Sequence, residues 1–300
     1  MEYVDQKALE AIAGFDGSQI LALINAVGGR ENALDLCSGE KKAIIEEVLR
    51  LFIDKNARGI PFADMISKTV DADRDFYLTQ PVVDYMAVRD GVVEAYGSDY
   101  NFMSVYDFRA QCEKVLERVR QDKQIANLLK GPYFPWVLPQ LKGDLGKVLD
   151  EEMIPAMERS YLEQFPNRSF TNYRHGELEG EVIVISGTRQ DLLVEAMAKE
   201  SVCGIYFPVL QGFSILADRE FITQMPEDVI LAGMEIPAVV TAYPGICGRD
   251  WNTLGLDMAS LQWQSSESSL YFKAGDGSAR FVFRFLNADA NYAGGVSFLG

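Results

Sequence analysis

The sequence predicts an α+β fold, or a mixed α/β fold, with a helical N-terminal region packed on a C-terminal mixed sheet that ends in an antiparallel hairpin. Three observations predict this fold. Apolar residues recur at helical spacing through 1–166, and short β-branched runs alternate with helical patterns through 167–300. Near the end, alternating apolar residues flank Gly275-Asp276-Gly277, a strong hairpin signal. We therefore expect a mainly helical region over 1–166 and an α/β region with antiparallel C-terminal strands over 167–300.

Helical patterns occupy most of the first region. They lie at 17–29, 38–61, 79–97, 104–132 and 144–166. The pattern at 38–61 has Ser38 as its predicted N-cap and runs through Phe52, and the one at 104–132 opens with Ser104 and Asp107 spaced as a capping box. Gly91 lies inside the third pattern and weakens it, and Pro155 predicts a kink or a restart in the last.

Strands and helices alternate in the second region. Strand-like runs lie at 180–186, 204–210, 213–217 and 228–233, and the hairpin spans 269–287. A helix is predicted over 188–200, with Thr188 and Asp191 as a capping pair. A short helix opens at Asp218, and another helical pattern spans 236–243.

Bulk composition restricts the class of protein. The 300 residues are 48% apolar and 24% charged, which is typical of a soluble globular protein. The formal charge of −16 argues against binding to nucleic acid, and the longest apolar runs are far shorter than a membrane span. The acidic opening residues show no secretory signal, so we expect a cytoplasmic protein whose partner is another protein or a small polar ligand.

The metal-binding and thiol residues are few and scattered. The cysteines are Cys37, Cys112, Cys203 and Cys247, none of them in a C-x-x-C pair, and His175 is the only histidine. That set offers too few ligands for zinc at any usual spacing, and neither nucleotide-binding glycine motif occurs. We therefore expect no metal and no cofactor, and free thiols. A dyad of His175 with Cys247 or Cys203 is the nucleophilic alternative, and the catalytic residues, if any, stay unknown.

A candidate anion site lies where the strand-like run at 180–186 meets the next helix. Ser186 and Thr188 would offer hydroxyl donors beside a helix N-terminus, and Arg189 would add a positive charge. A plain N-cap explains the same residue types.

The segment 243–257 is the most chemically crowded part of the chain. Its prolines and glycines predict successive turns at the surface, where ligand-binding residues are common. The candidate ligand-binding residues are Cys247, Arg249, Asp250, Trp251, Asn252 and Asp257. In the alternative interpretation these residues only hold the loop in place: Arg249 pairs with a carboxylate, Trp251 fills a hole over the sheet, and an Asx side chain caps a turn.

Two hypotheses about function follow. The first is a non-catalytic interaction or ligand-binding protein, which the absence of a recognised catalytic motif favours. The second is a small-molecule hydrolase or transferase that uses Cys247, Arg249 and Asp250 in the 243–257 loop.

Overall fold

The computed structural model describes residues 30–31, 51–72 and 78–300, and the chain divides into two compact units, Met1–Leu49 and Arg50–Gly300. The helices and strands given below all lie in the second unit. The helix predicted over 17–29 and the first part of the one predicted over 38–61 lie outside the described residues. The division into regions at residue 166 stays a prediction. Strands from both sides of that residue lie in one sheet.

Seven α-helices lie in the described part of the chain. They are α1 (Tyr85–Tyr96), α2 (Val105–Gln121), α3 (Leu145–Val148), α4 (Ile154–Gln164), α5 (Gln190–Lys199), α6 (Ile215–Ile222) and α7 (Glu235–Ala242). A π-helical turn, Leu149–Met153, joins α3 to α4, and Pro155 lies in the first turn of α4. None of the helices within 51–72 and 78–300 is long and apolar enough to cross a membrane.

Ten strands complete the described fold. They are β1 (Phe134–Leu138), β2 (Ser169–Asn172), β3 (Val182–Val184), β4 (Val202–Gln211), β5 (Val229–Leu231), β6 (Gly255–Asp257), β7 (Leu261–Trp263), β8 (Ser268–Gly275), β9 (Ser278–Phe285) and β10 (Tyr292–Leu299). Eight of them form one sheet in the order β1-β4-β10-β6-β8-β9-β2, with β5 also paired to β10, while β3 and β7 pair separately. The β10–β6 and β2–β9 pairs are parallel and the rest antiparallel. The predicted α+β class is confirmed.

Strand β10 lies inside the sheet and pairs with β4 across a bulge, at which two residues of β4 lie opposite one residue of β10. It pairs with β4 along one edge and with both β6 and β5 along the other. The register against β4 shifts between Gly294 and Val296. A Cβ on Gly294 would lie 2.2 Å from Oδ2 of Asp218, and a Cβ on Gly295 would lie 2.3 Å from Cε2 of Tyr206. Two glycines therefore let β10 approach α6 and β4 more closely than any other residue would allow.

Several local predictions are confirmed. The Ser104 hydroxyl accepts from the Asp107 backbone N–H at 3.1 Å, so the predicted cap opens α2. Strands β8 and β9 form the predicted hairpin, whose turn residues Asp276 and Gly277 both have positive φ, as a type I′ turn requires. Gly91 lies within α1 as the sequence pattern indicated.

Three element predictions are wrong at their ends. The helix predicted through Phe52 does not reach it, because Asp54 closes a turn by accepting from the backbone N–H groups of Asn56 and Arg58 at 2.7 and 2.9 Å. Helix α2 ends at Gln121 and not near Gly131, with a separate 3₁₀ helix at Ala126–Lys130.

The short helix expected to open at Asp218 is the third of these. It begins at Ile215, because Ser214 is its N-cap and accepts from the Ala217 N–H at 3.1 Å. The strand-like interpretation of 213–217 is therefore wrong as well, since this run contains the start of the helix. Asp218 is consequently inside α6, with no exposed surface.

Helices pack against the sheet through large buried side chains. Helix α2 contacts β4, α7 contacts β1 and α4, and α6 contacts β5 and β10. Trp136, Tyr206, Phe207 and Phe298 are all essentially inaccessible to solvent, and the rings of Phe207 and Phe298 meet edge to face at 5.9 Å. The β1–β4–β10 side of the sheet is therefore the interior of the unit.

Two glycine substitutions test this packing in opposite directions. In β4, a Cβ on Gly204 would lie 2.2 Å from the Phe298 carbonyl oxygen and 2.6 Å from Cζ2 of Trp136. Because the backbone contact cannot be relieved by a rotamer change, we expect Gly204→Ala to lower the free energy of unfolding by about 3 kcal/mol. A Cβ on Gly91, at an exposed position of α1, meets nothing within 4 Å. Gly91→Ala should therefore raise the free energy of unfolding by about 1 kcal/mol.

Urea unfolding followed by circular dichroism measures both changes. A Gly204→Ala protein as stable as the unsubstituted one would contradict the close β4–β10 register.

Candidate functional site

The 243–257 segment connects α7 to β6 through two 3₁₀ turns, Pro244–Cys247 and Asp250–Asn252. Arg249, Trp251 and Asn252 are exposed, whereas Cys247 and Asp257 are buried. The candidate ligand-binding residues therefore do not share one surface. Whether they bind a ligand stays a prediction.

Asp250 and Trp251 hold the loop against the β8–β9 hairpin. Oδ1 of Asp250 accepts from the Gly277 N–H at 2.9 Å, and Nε1 of Trp251 donates to Oδ1 of Asp276 at 2.8 Å. The Trp251 ring lies where a Cβ on Gly275 would be, 2.7 Å away. These contacts fix the end of the loop and direct the Asp250 carboxylate at the hairpin turn.

The Cys247 side chain is buried. Burial raises its pKa to about 12, and the positive charge of Arg168 offsets only part of that rise. His175, its proposed partner, lies elsewhere: Nδ1 is 3.0 Å from Oδ1 of Asp150, and the ring is 77% exposed. Asp150 also accepts from the Gly176 N–H at 2.6 Å. The structure thus joins His175 to a carboxylate and gives Cys247 the character of a protonated core thiol.

Asp257 differs from the other candidate residues of 243–257 because it forms a buried ion pair with Arg284. It is fully buried on β6, and Nη1 of Arg284 lies 3.0 Å from Oδ2 and 3.3 Å from Oδ1. Burial raises the pKa of Asp257 to about 6, against the lowering effect of Arg284. The guanidinium stacks 3.9 Å above the Tyr292 ring. The Asp257 carboxylate therefore links β6 to β9 within the sheet, near the open end of the β8–β9 hairpin.

The residues of the candidate anion site have other bonds. The Thr188 hydroxyl is buried and donates to the Ile185 carbonyl at 2.6 Å, so Thr188 is not the predicted cap. The Arg189 guanidinium donates to the carbonyl oxygens of Met225, Pro226 and Val229 at 2.7–3.1 Å. Ser186 is exposed. Anion binding here stays a prediction, and the Arg189 guanidinium already donates hydrogen bonds to three carbonyl oxygens.

A cavity of about 370 Å³ lies beneath the first turn of the 243–257 segment. Its apolar walls include Leu78, Pro81, Phe134, Tyr243 and Ile246, and its polar lining includes Thr79, Gln164 and Arg249. Arg249 carries the only charge among the described lining residues. The volume lies within the range of small-molecule sites, about 300–1,000 Å³.

Two aromatic rings form the floor of this cavity. Phe134, at the start of β1, and Tyr243, after α7, meet edge to face with centroids 5.4 Å apart. Burial raises the pKa of Tyr243, and the nearby Cys112, Tyr85 and Tyr133 raise it further. The phenol is therefore neutral, and its hydroxyl has no hydrogen-bond partner among the residues described. The cavity thus combines an uncharged aromatic floor with one cationic residue.

The sequence did not indicate a group of buried acids near β10. Asp218, Glu235 and Asp257 each have no exposed surface. Oε2 of Glu235 accepts from the Gly233 N–H at 3.0 Å and from Nε2 of Gln190 at 3.1 Å, whereas neither oxygen of Asp218 has a partner in the described part of the chain. Burial raises the pKa of both Asp218 and Glu235. No local pattern marks such acids, because their burial depends on contacts distant in sequence.

Among the described residues, no group of three or more His, Cys, Asp or Glu side chains is arranged to hold a metal ion. Comparison of the chain with protein-family models, with curated proteins and with solved structures gives no match.

The buried Asp218 carboxyl predicts a specific pH dependence of stability. Its folded pKa is raised well above the unfolded value of about 4, first by burial and then by Asp257. The folded state therefore binds a proton that the unfolded state releases. The stabilisation from protonated Asp218 is complete below about pH 4 and is lost as the pH rises towards the folded pKa. In that range the free energy of unfolding should fall by about 1.4 kcal/mol per pH unit because of Asp218, and we expect this fall to be absent in Asp218→Asn.

Urea unfolding at a series of pH values from about 5 to 8 measures this slope. Asp191→Asn, at an exposed position in α5, is the matched control and should leave the slope unchanged. Equal slopes for the unsubstituted protein and Asp218→Asn would show that Asp218 is ionised when folded.

Proposed function

We propose that this protein binds a small organic anion with a flat, apolar body in the cavity lined by Phe134, Gln164, Tyr243 and Arg249. The observation that carries the proposal is the composition of the lining: mostly apolar and aromatic walls of a 370 Å³ cavity, with Arg249 as the one charge among the described lining residues. Apolar cavities with few polar groups are typical of small-molecule sites.

The lining favours an anion over a neutral or cationic ligand. A guanidinium matches the two oxygens of a carboxylate, and the Gln164 amide offers a further hydrogen-bond donor. The chain as a whole carries a formal charge of −16, so its general field repels anions. Selection of an anion therefore depends on the local charge of Arg249. The Phe134 and Tyr243 rings would contact the apolar body of the ligand.

The same geometry supports binding over catalysis. A hydrolase or transferase that uses this loop would need a reactive Cys247 or a free Asp250 carboxylate near the ligand. Burial raises the pKa of Cys247 to about 12, and Asp250 accepts from the Gly277 N–H. We place the protein in the cytoplasm, which the free thiols of Cys112, Cys203 and Cys247 support.

Benzoate and benzamide form a matched pair of probes, because they have the same shape and differ in charge. We expect the full chain to bind benzoate more tightly than benzamide in ligand-observed NMR titrations. Arg249→Gln should weaken benzoate binding about tenfold, the loss of one charge-assisted hydrogen-bond pair, and leave benzamide unchanged. Arg109→Gln is the control, since Arg109 is an exposed residue of α2 paired with Glu113.

Three results would overturn the proposal. The first is equal affinity for the two probes, and the second is benzoate binding that Arg249→Gln leaves intact. The third is an equal loss of affinity in Arg109→Gln, because it would show that general surface charge, and not this cavity, attracts the anion.

A further inference from the structure

Cys112 of α2 and Cys203 of β4 are neighbours across the helix–sheet interface. The Cys112 thiol donates to the Gly204 carbonyl at 3.6 Å, and the Cys203 thiol donates to Oε1 of Gln111 at 3.2 Å. Each thiol therefore bonds to the residue adjacent to the other cysteine. This crossed arrangement brings the two thiols into the same part of the helix–sheet interface.

Both side chains are buried, with 1% of Cys203 and 0% of Cys112 exposed, but only Cys203 faces a cavity. That cavity, of about 430 Å³, is lined by Cys203 together with Met103, Gln111, Ser201 and Leu299. Burial raises the pKa of Cys112 well above its usual value, and its hydrogen bond and charge interaction with Cys203 raise it further. A small reagent that enters the cavity meets Cys203 first. Cys112 then remains a protonated thiol in contact with it.

We propose that hydrogen peroxide oxidises this protein at Cys203 and that Cys112 resolves the product to a Cys112–Cys203 disulfide. Cys203 loses its proton and its sulfur attacks one peroxide oxygen; the O–O bond breaks, the leaving hydroxide takes up that proton as the first water, and Cys203 becomes a sulfenic acid. The Cys112 sulfur then attacks the Cys203 sulfur and displaces its hydroxyl group, which leaves as water with the Cys112 proton. In total, two thiols and one peroxide give one disulfide and two waters.

Peroxide fits this cavity better than a charged disulfide reagent does. Asp107 and Glu200 also line it, so an anionic oxidant is repelled whereas neutral peroxide is not. The disulfide would fasten α2 to β4, two elements that already contact each other. This site is separate from the ligand cavity at 243–249 and does not depend on the function proposed there.

Peptide mapping of the full chain tests the proposal directly. Trypsin, which cuts after Lys and Arg, places the four cysteines in different peptides: 31–41, 110–114, 200–219 and 220–249. After peroxide treatment of the native protein and alkylation of the remaining thiols, we expect peptide 110–114 to be joined to 200–219, with the loss of two hydrogen atoms. Dithiothreitol should separate them.

Three variants assign the roles. Cys112→Ser should stop at a Cys203 sulfenic acid that dimedone labels, and Cys203→Ser should leave Cys112 unmodified. Cys247→Ser is the matched control and should form the same joined peptide as the unsubstituted chain. Should a variant fail to fold, the map of the unsubstituted chain still decides the matter. Peptides 110–114 and 200–219 that stay fully alkylated after peroxide, or a joined pair that contains 31–41 or 220–249 instead, would overturn the proposal.

Discussion

The sheet depends on the close approach of β10 to α6 and β4 at Gly294 and Gly295. A side chain at either glycine would occupy the space of Asp218 or Tyr206. Because β10 pairs with β4 on one edge and with both β5 and β6 on the other, a displaced β10 would separate the two halves of the sheet. The glycines lower the intrinsic stability of a strand, so their presence indicates that this approach matters more than strand propensity.

The same approach explains why acids are buried here. Asp218 on α6 points at the one place where β10 has no side chain, and it therefore loses contact with water. Asp257, on the next strand, keeps Arg284 as its partner, whereas Asp218 does not have one among the described residues. A lone carboxyl in such a place is neutral, since burial of an unpaired charge costs far more than protonation. The polar layer beneath β10 is thus a consequence of how the sheet is assembled, separate from the cavity under the 243–249 turn.

Local chemistry was readable from the sequence wherever neighbours in the chain determine it. The β8–β9 turn and the Ser104 cap depend on residues one to three positions apart, and both were predicted. The end of the helix expected through Phe52, the start of α6 and the burial of Asp218 were not, because Asp54 and Ser214 offered competing local bonds and burial depends on distant strands. Of the candidate ligand-binding residues, Arg249 alone lines the 370 Å³ cavity. Its neighbours there, Phe134 and Gln164, come from distant elements that one sequence does not connect.

The protonation state of Asp218 tests the central claim, that β10 encloses an uncharged acid. Carboxyl carbon resonances of the protein labelled with ¹³C-aspartate report it directly, and the signal lost in Asp218→Asn assigns the residue. We predict that the Asp218 carbon keeps the chemical shift of a protonated acid as the pH rises above about 4, where solvated aspartates become ionised. An Asp218 signal that titrates near pH 4, at about the pKa of a solvated aspartate, would contradict the account.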